Sequence, residues 1–285
     1  MTVRMTVRMT VRMTGPLRVR EREGVRILLP TEQDVELPPG FDLPDYRPEG
    51  DGALHGRGGA RRIVLPSGKA AFYRPYRHGG VFGGLQGDRY LSESVLSAEL
   101  RAGLRLLEAG VPVAVPIAGR VERRGLWKRL ALLTEACEGR TLDQFMREED
   151  PRAVGLALRA SGRAVASMQR AGFRHADLHP GNLIVSATAE VRVLDLARGR
   201  FGGRYGDENA RRSLVRCARF LFKREQAPSA REVMAFLQGY APDARALRHE
   251  LFVSLGQQLR KELERRAYGR QALRELDRAT AANSR

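Results

Sequence analysis

The chain has 285 residues, and its 50 Lys+Arg against 33 Asp+Glu give a formal net charge of +17. Hydrophobic residues are 42% and charged residues 29%, which excludes wholesale disorder and allows one globular unit. Such a positive balance favours polyanionic partners: nucleic acid, phosphorylated glycolipid or an anionic membrane face.

Residues 1–14 repeat Met-Thr-Val-Arg three times and begin a fourth copy. A translated short DNA repeat or an early start codon explains this, as does a basic arm for anionic lipid, although a period of four gives no clean amphipathic face. Arginine at every fourth position leaves no apolar core for a secretory signal. Residues 15–50, with Leu37-Pro38-Pro39-Gly40, predict a loosely structured lead-in, so 1–50 is expected to be a basic, poorly ordered extension. The glycine-rich stretch Gly52 to Gly59 follows, with Gly56 and Gly58 as candidates to let backbone N–H groups close over phosphates. Arg62–Leu65 and Ala70–Arg74 read as strands around a Pro66-Ser67-Gly68 turn. Leu96, Leu100, Leu104 and Leu107 predict a helix from Ser92 to Leu107, capped by Gly110. Val111–Ala118 and Leu130–Thr134 read as strands. The apolar run at 111–118 is broken by Pro112 and Pro116, and no run reaches the roughly 18–20 residues that span a bilayer.

Thr141 and Gln144 form a capping-box pattern, and Asp150-Pro151 opens a helix carrying Val154, Leu158, Val165 and Met168 to Gly172. Residues 182–185 and 191–194 predict a short hairpin. Helices follow from Asn209 to Lys223, from the Ser229/Glu232 capping box towards Leu237, and around Leu251–Leu276. Cys137 and Cys217 have no metal-ligand spacing, and two cysteines fit a reducing compartment better than a disulfide scaffold. The plan is α+β: a small sheet-rich lobe at 51–135, then a larger helical lobe at 136–285.

The chemistry concentrates in His175-Ala176-Asp177-Leu178-His179-Pro180-Gly181-Asn182, with Asp195 eighteen residues beyond Asp177. Phosphoryl transfer from a nucleotide needs a carboxylate to orient or accept from the acceptor hydroxyl, and hard oxygen ligands for Mg²⁺ near the phosphates. Asp177 fits the first role; Asn182 and Asp195 fit the second. His175 is expected to hold the loop by hydrogen bonds. Pro180 and Gly181 argue against a helical zinc pair at His175 and His179.

This constellation resembles the protein-kinase-like fold, a bilobal α+β architecture. The resemblance places Arg74 where a strand lysine grips ATP phosphates, with Lys69 as the competing cation, and Glu99 as its helix partner. It places Leu133-Thr134-Glu135-Ala136 where a hinge meets adenine, which implicates Glu135 and Ala136. Ala176 replaces the arginine that clamps a phosphorylated activation loop. Asp195-Leu196-Ala197 replaces Asp-Phe-Gly, and no Ala-Pro-Glu docking motif follows. These departures point away from a protein substrate.

Within that superfamily the chain resembles the lipopolysaccharide kinases, most of all those acting on 3-deoxy-D-manno-octulosonic acid (Kdo). The resemblance rests on Tyr73-Arg74-Pro75-Tyr76-Arg77-His78-Gly79-Gly80, Asp88-Arg89-Tyr90-Leu91, Gly110-Val111-Pro112-Val113, Pro116-Ile117-Ala118, the loop from His175 to Asn182, and Asp195 to Arg200. His78 stands where a second arginine is usual. The resemblance implies ATP and Mg²⁺ as cofactors and a Kdo hydroxyl on lipid A precursor as acceptor. It also implies peripheral association with the cytoplasmic face of the inner membrane. Arg77, Arg198 and Arg200 are candidates to grip the anionic acceptor. Heptose, ubiquinone-biosynthesis, aminoglycoside and choline kinases of the same fold are alternatives. A nucleic-acid-binding protein is the rival outside enzymes, but with aromatics at 6% and no reading motif, no nucleic acid is expected.

Overall fold

The computed structural model describes residues 10–14, 17–31, 36–49, 59–77, 87–224 and 228–265. The fold is α+β. The chain divides into two compact units, one of Met1–Arg105 with Ala114–Ala136, the other of Leu106–Val113 with Cys137–Arg285.

The first unit is built on a seven-stranded antiparallel sheet. Its strands are β1 (Thr10–Thr14), β2 (Leu17–Arg22), β3 (Val25–Pro30), β4 (Arg61–Val64), β5 (Ala70–Pro75), β6 (Pro116–Arg124) and β7 (Trp127–Glu135), in the order β1-β2-β3-β6-β7-β5-β4. Helix α1 (Ser94–Glu108) follows β5. The expectation of a poorly ordered lead-in fails at residues 17–30. There, arginines alternate with Leu17, Val19, Val25 and Ile27, all buried, and β3 pairs with β6 from Val25↔Glu122 to Leu28↔Gly119. Period-2 alternation suits a half-buried strand whose other face meets water.

Residues 36–49 are also tied down. Arg120, 2% exposed, donates to the Phe41 carbonyl at 3.0 Å and the Leu43 carbonyl at 2.7 Å, and pairs with buried Glu122 at 2.8 Å. Glu122 also accepts the Asp45 N–H at 3.1 Å. A buried charge tolerates its surroundings only when so satisfied. Phe41 then joins Ile27, Leu29, Ile63, Tyr73 and Leu133 in the core on that face. The expected strand at 111–118 begins only at Pro116: Pro112 has no N–H to give a ladder, and Val113 makes only an isolated bridge to Val193. Gly119 lets α1 lie close to the sheet: a Cβ there would meet the Leu100 side chain at 2.7 Å.

The second unit contains β8 (Arg140–Thr141), α2 (Leu142–Glu148), α3 (Pro151–Arg170), β9 (Phe173–Arg174), a 3-10 turn at Pro180–Asn182, β10 (Leu183–Val185), β11 (Val191–Val193), β12 (Arg200–Phe201), α4 (Glu208–Phe222), α5 (Ala230–Tyr240) and α6 (Arg245–Arg265). Both capping boxes form, with the Thr141 N–H on Gln144 Oε1 at 3.2 Å and the Ser229 N–H on Glu232 Oε2 at 2.7 Å. Asp150 caps α3 by accepting from Arg152 and Ala153. The predicted hairpin is β10–β11, in register Leu183↔Val193. The last described helix starts earlier than predicted, at Arg245. Among the described residues no helix is long and apolar enough to cross a membrane.

Helices α3 and α5 touch at two glycines. A Cβ on Gly162 would lie 2.1 Å from the Phe236 carbonyl oxygen, and one on Gly239 would lie 1.8 Å from that of Arg159. Both contacts are with backbone, so no side chain can rotate away. Gly239→Ala should therefore destabilise the protein by about 1–3 kcal/mol in urea unfolding. Gly155→Ala in α3 meets nothing closer than an arginine tip at 3.8 Å. It should be neutral or stabilising by about 0.5–1 kcal/mol. Equal effects from the two changes would contradict the packing account.

Candidate active site

The loop from His175 to His179 runs from β9 to the 3-10 turn. Strand β9 pairs with β12, Phe173 opposite Phe201, so the chain before the loop and the chain after Asp195 leave side by side. His175 is 4% exposed and bonded at both ring nitrogens. Its Nε2–H donates to the Leu194 carbonyl at 2.9 Å, and its Nδ1 accepts the Asp177 N–H at 3.1 Å. This pattern requires the neutral Nε2–H tautomer. Burial, the largest cause, pulls its pKa below the ordinary value, which reinforces that state.

Three further bonds close the frame. The Leu194 N–H donates to the Asn182 carbonyl at 2.9 Å, the Asn182 Nδ2 donates to the Asp177 carbonyl at 2.9 Å, and the Asn182 N–H donates to the His179 carbonyl at 2.9 Å. The structure thus brings together His175, Asp177, Asn182 and the strand end that carries Asp195. The Asp177 carboxylate is 70% exposed. Asp195 is exposed and sits at φ +53, a left-handed conformation uncommon for a non-glycine residue. Such backbone strain concentrates at functional sites.

Asn182 and Asp195 both offer hard oxygen donors. Among the described residues no group of three or more His, Cys, Asp or Glu could hold a metal ion. That donor set fits Mg²⁺, which takes one or two protein oxygens and fills its shell with phosphate and water.

Several supporting contacts are not expected from the sequence, where His179 enters only as a rejected zinc ligand and Cys217 only for lacking metal-ligand spacing. His179 accepts the Gly181 N–H on Nδ1 at 3.1 Å, stacks on Phe220 with centroids 4.3 Å apart, and brings Nε2 to 3.6 Å from the Asp177 carboxylate. Helix α4 braces the loop from behind: Arg216 donates to the Ala176 carbonyl and Cys217 to that of Leu178 at 3.5 Å. Burial pushes the Cys217 thiol up to about 12, so it acts as packing and not as a nucleophile. The local signal for these residues is weak because their partners lie about 40 positions away along the chain.

In the first unit, Arg74 on β5 meets Glu99 on α1 at 2.6 Å. Glu99 is 5% exposed and also accepts from the Tyr76 hydroxyl, while the Arg74 guanidinium lies 4.9 Å from the Tyr76 ring centroid. Lys69, the competing cation, is exposed at the β4–β5 turn, and it is Arg74 that takes the Glu99 carboxylate. At the expected hinge, two backbone N–H groups already have partners. The N–H of Glu135 is donated to Val115 at 2.9 Å and that of Ala136 to Ala70 at 3.0 Å. These two N–H groups are spent on the sheet and its flanking chain instead of facing adenine. Gly56 and Gly58 lie outside the described residues, as do His78 to Gly80. Arg77 is exposed in the first unit; in the second, exposed Arg198 and Arg200 flank Gly199, which follows Asp195 by four residues.

This fold and loop define a class, the phosphotransferases of the kinase kind. The model of the lipopolysaccharide kinase (Kdo/WaaP) family matches residues 52–240, well over half of the chain, and the chain belongs to that family. A 3-deoxy-D-manno-octulosonic acid kinase of Vibrio parahaemolyticus is 32% identical over 181 residues, 61% of this chain and 75% of the relative. One from Stenotrophomonas maltophilia is 34% identical over 194 residues, 63% and 74% of the two chains. One from Xanthomonas campestris is 33% identical over 148 residues, 50% and 58%. As a member of a kinase family the protein uses ATP and phosphorylates a hydroxyl.

The His175 frame has a pH signature. The folded pKa lies below the ordinary 6.5, so the unfolded chain binds the proton first as pH falls. This residue's contribution is complete above about pH 6.5 and is lost below it. His175→Ala should cost about 1–3 kcal/mol for each backbone group left unpaired. It should also flatten the loss of stability from about pH 7.5 to about pH 5.5 in urea unfolding. An unchanged pH slope in the variant would contradict this role.

Proposed function

We propose that the protein transfers the γ-phosphoryl group of ATP to a hydroxyl of Kdo on lipid A precursor, in lipopolysaccharide core assembly. The observation that carries this reading is the His175-framed loop in a chain whose relatives are named for Kdo phosphorylation. On this reading the acceptor hydroxyl approaches the exposed Asp177 carboxylate. The carboxylate takes the hydroxyl proton as the new oxygen–phosphorus bond forms and the bond to the β,γ-bridging oxygen breaks, releasing ADP. Bulk water then collects the proton. Asn182 and Asp195 would hold Mg²⁺, which when bound supplies charge compensation on the phosphates.

In this proposal the first unit is the nucleotide-binding part and Arg74 touches phosphate, kept in place by Glu99. Arginine presents a planar fork where a lysine would present a point charge, so Arg74→Lys is not a neutral exchange. The second unit supplies the catalytic loop and the acceptor side, with Arg198 and Arg200 as candidates for bidentate contact with the Kdo carboxylate or lipid A phosphates. An acceptor of this kind implies work at the cytoplasmic face of the inner membrane.

The experiment supplies radiolabelled ATP with Kdo-bearing lipid A precursor, precursor lacking Kdo, a generic protein, an aminoglycoside or choline. Label should enter only the first. Label in precursor lacking Kdo, or in an aminoglycoside or choline alone, would overturn the assignment. Asp177→Asn should lower turnover on the Kdo-bearing acceptor about 10²–10⁴-fold with nucleotide affinity retained. Wild-type turnover in that variant would remove Asp177 from the reaction.

A further inference from the structure

The hairpin joining β6 and β7 ends in a two-residue turn, Gly125-Leu126, with Arg124 opposite Trp127. Gly125 takes φ +60 at the first central position, as tight hairpin turns of this length require. The tip is apolar and open: Leu126 is 85% exposed and Trp127 43%. A second segment joins it. The Tyr90 and Lys128 backbones exchange both hydrogen bonds, at 2.9 Å and 2.7 Å. That antiparallel bridge sets Leu91, 71% exposed, across from Trp127 in the register. Leu91 closes the Asp88-Arg89-Tyr90-Leu91 segment, which the catalytic chemistry does not use.

Among the described residues six large hydrophobic side chains are exposed, and three of them fall on this tip and the segment bridged to it. Single exposed hydrophobes are ordinary; a cluster that keeps a tryptophan in water is not. Its rim is basic. Residues 123–129 carry Arg123, Arg124, Lys128 and Arg129 and no acid. Arg124 meets Glu122 at 2.6 Å and also Asp45, Arg129 meets Asp88 at 2.8 Å and Lys128 meets Glu93 at 3.3 Å, yet the three basic side chains remain 40%, 50% and 29% exposed. Over 88–93 and 122–129, with Asp45 held on Arg124, five basic residues face four acidic ones.

A tryptophan and two leucines at a tight tip ringed by arginine and lysine match the water–lipid boundary of an anionic bilayer. The indole settles at headgroup depth, the leucines enter the acyl region, and the cations meet lipid phosphates. We propose that the β6–β7 tip with Leu91 is the element by which the protein docks on an anionic membrane. The inference rests on the membrane-side acceptor proposed above for its choice of partner and adds the surface that makes the contact.

Trp127 is the only tryptophan in the chain, so its fluorescence reports on this tip alone. The full-length protein, without ATP or acceptor, is titrated with phosphatidylglycerol/phosphatidylethanolamine vesicles. The emission should shift to shorter wavelength, lipids brominated high in the acyl chain should quench it, and added salt should weaken binding. The double variant Leu91→Ser/Leu126→Ser keeps the reporter and should bind at least ~10-fold more weakly. Its unfolding midpoint should match wild type, since both side chains are exposed. Bound protein whose Trp127 stays open to an aqueous quencher would overturn the proposal, as would equal binding by the double variant or equal binding to neutral vesicles. A lipid-free emission shift that grows with protein concentration would assign the patch to a second copy of the chain and overturn it too. Phosphotransfer to a water-soluble Kdo acceptor, measured in parallel, separates the two readings. Its absence in wild type with Trp127 inserted defeats the acceptor assignment, and its presence without insertion defeats the docking surface.

Discussion

One neutral imidazole organises the catalytic loop. His175 donates from Nε2 to Leu194 and accepts at Nδ1 from Asp177, so a single buried ring fixes two chain segments at once. Leu194 precedes Asp195, and its own N–H reaches back to Asn182. The carboxylate proposed for the acceptor and the two oxygen donors proposed for Mg²⁺ are therefore referenced to one side chain. The arrangement works only while the ring is uncharged, since a second ring proton would confront the Asp177 N–H with another donor. Burial supplies that condition. In a dry setting these hydrogen bonds are stronger than at the surface, and losing one partner is correspondingly expensive.

The first unit applies the same logic to charge. Glu99 is buried and would be intolerable unpaired, but Arg74 and Tyr76 both bind it. That holds the Arg74 guanidinium in place on β5. Elsewhere in the unit, buried Arg120 anchors residues 41–45 to the sheet through two carbonyls and Glu122. Arginine dominates the basic residues of this chain, and only Lys69, Lys128, Lys223 and Lys261 are lysine. Its multiple donors suit such buried duties.

Much of this architecture is legible in the sequence wherever the chemistry is local. The capping residues Thr141, Asp150 and Ser229 act within one helical turn, and the 182–194 hairpin is closed by near neighbours. The grouping of His175, Asp177, Asn182 and Asp195 is readable because all lie within 21 residues. Long-range partners are harder. Strand β3 finds β6 more than 90 residues away, and the alternation at 17–28 is masked by an arginine-rich background that reads as a solvated tail. The pairing of the hinge N–H groups is hidden for a related reason. Whether the N–H groups of Glu135 and Ala136 face a ligand depends on Val115 and Ala70, which no local pattern links to them. Arg120 is invisible because a buried arginine is indistinguishable in sequence from a surface one.

In the proposed reaction the loop divides its labour, with Asp177 serving the acceptor and Asp195 serving the metal–nucleotide. Calorimetric titration of Mg·ATP into Asp195→Ala, set beside the Asp177→Asn protein, tests it most directly. The account predicts that Asp195→Ala loses most of its Mg²⁺-dependent nucleotide affinity, because a hard anionic ligand is gone. Wild-type Mg·ATP affinity in Asp195→Ala, with the loss appearing instead in Asp177→Asn, would contradict it.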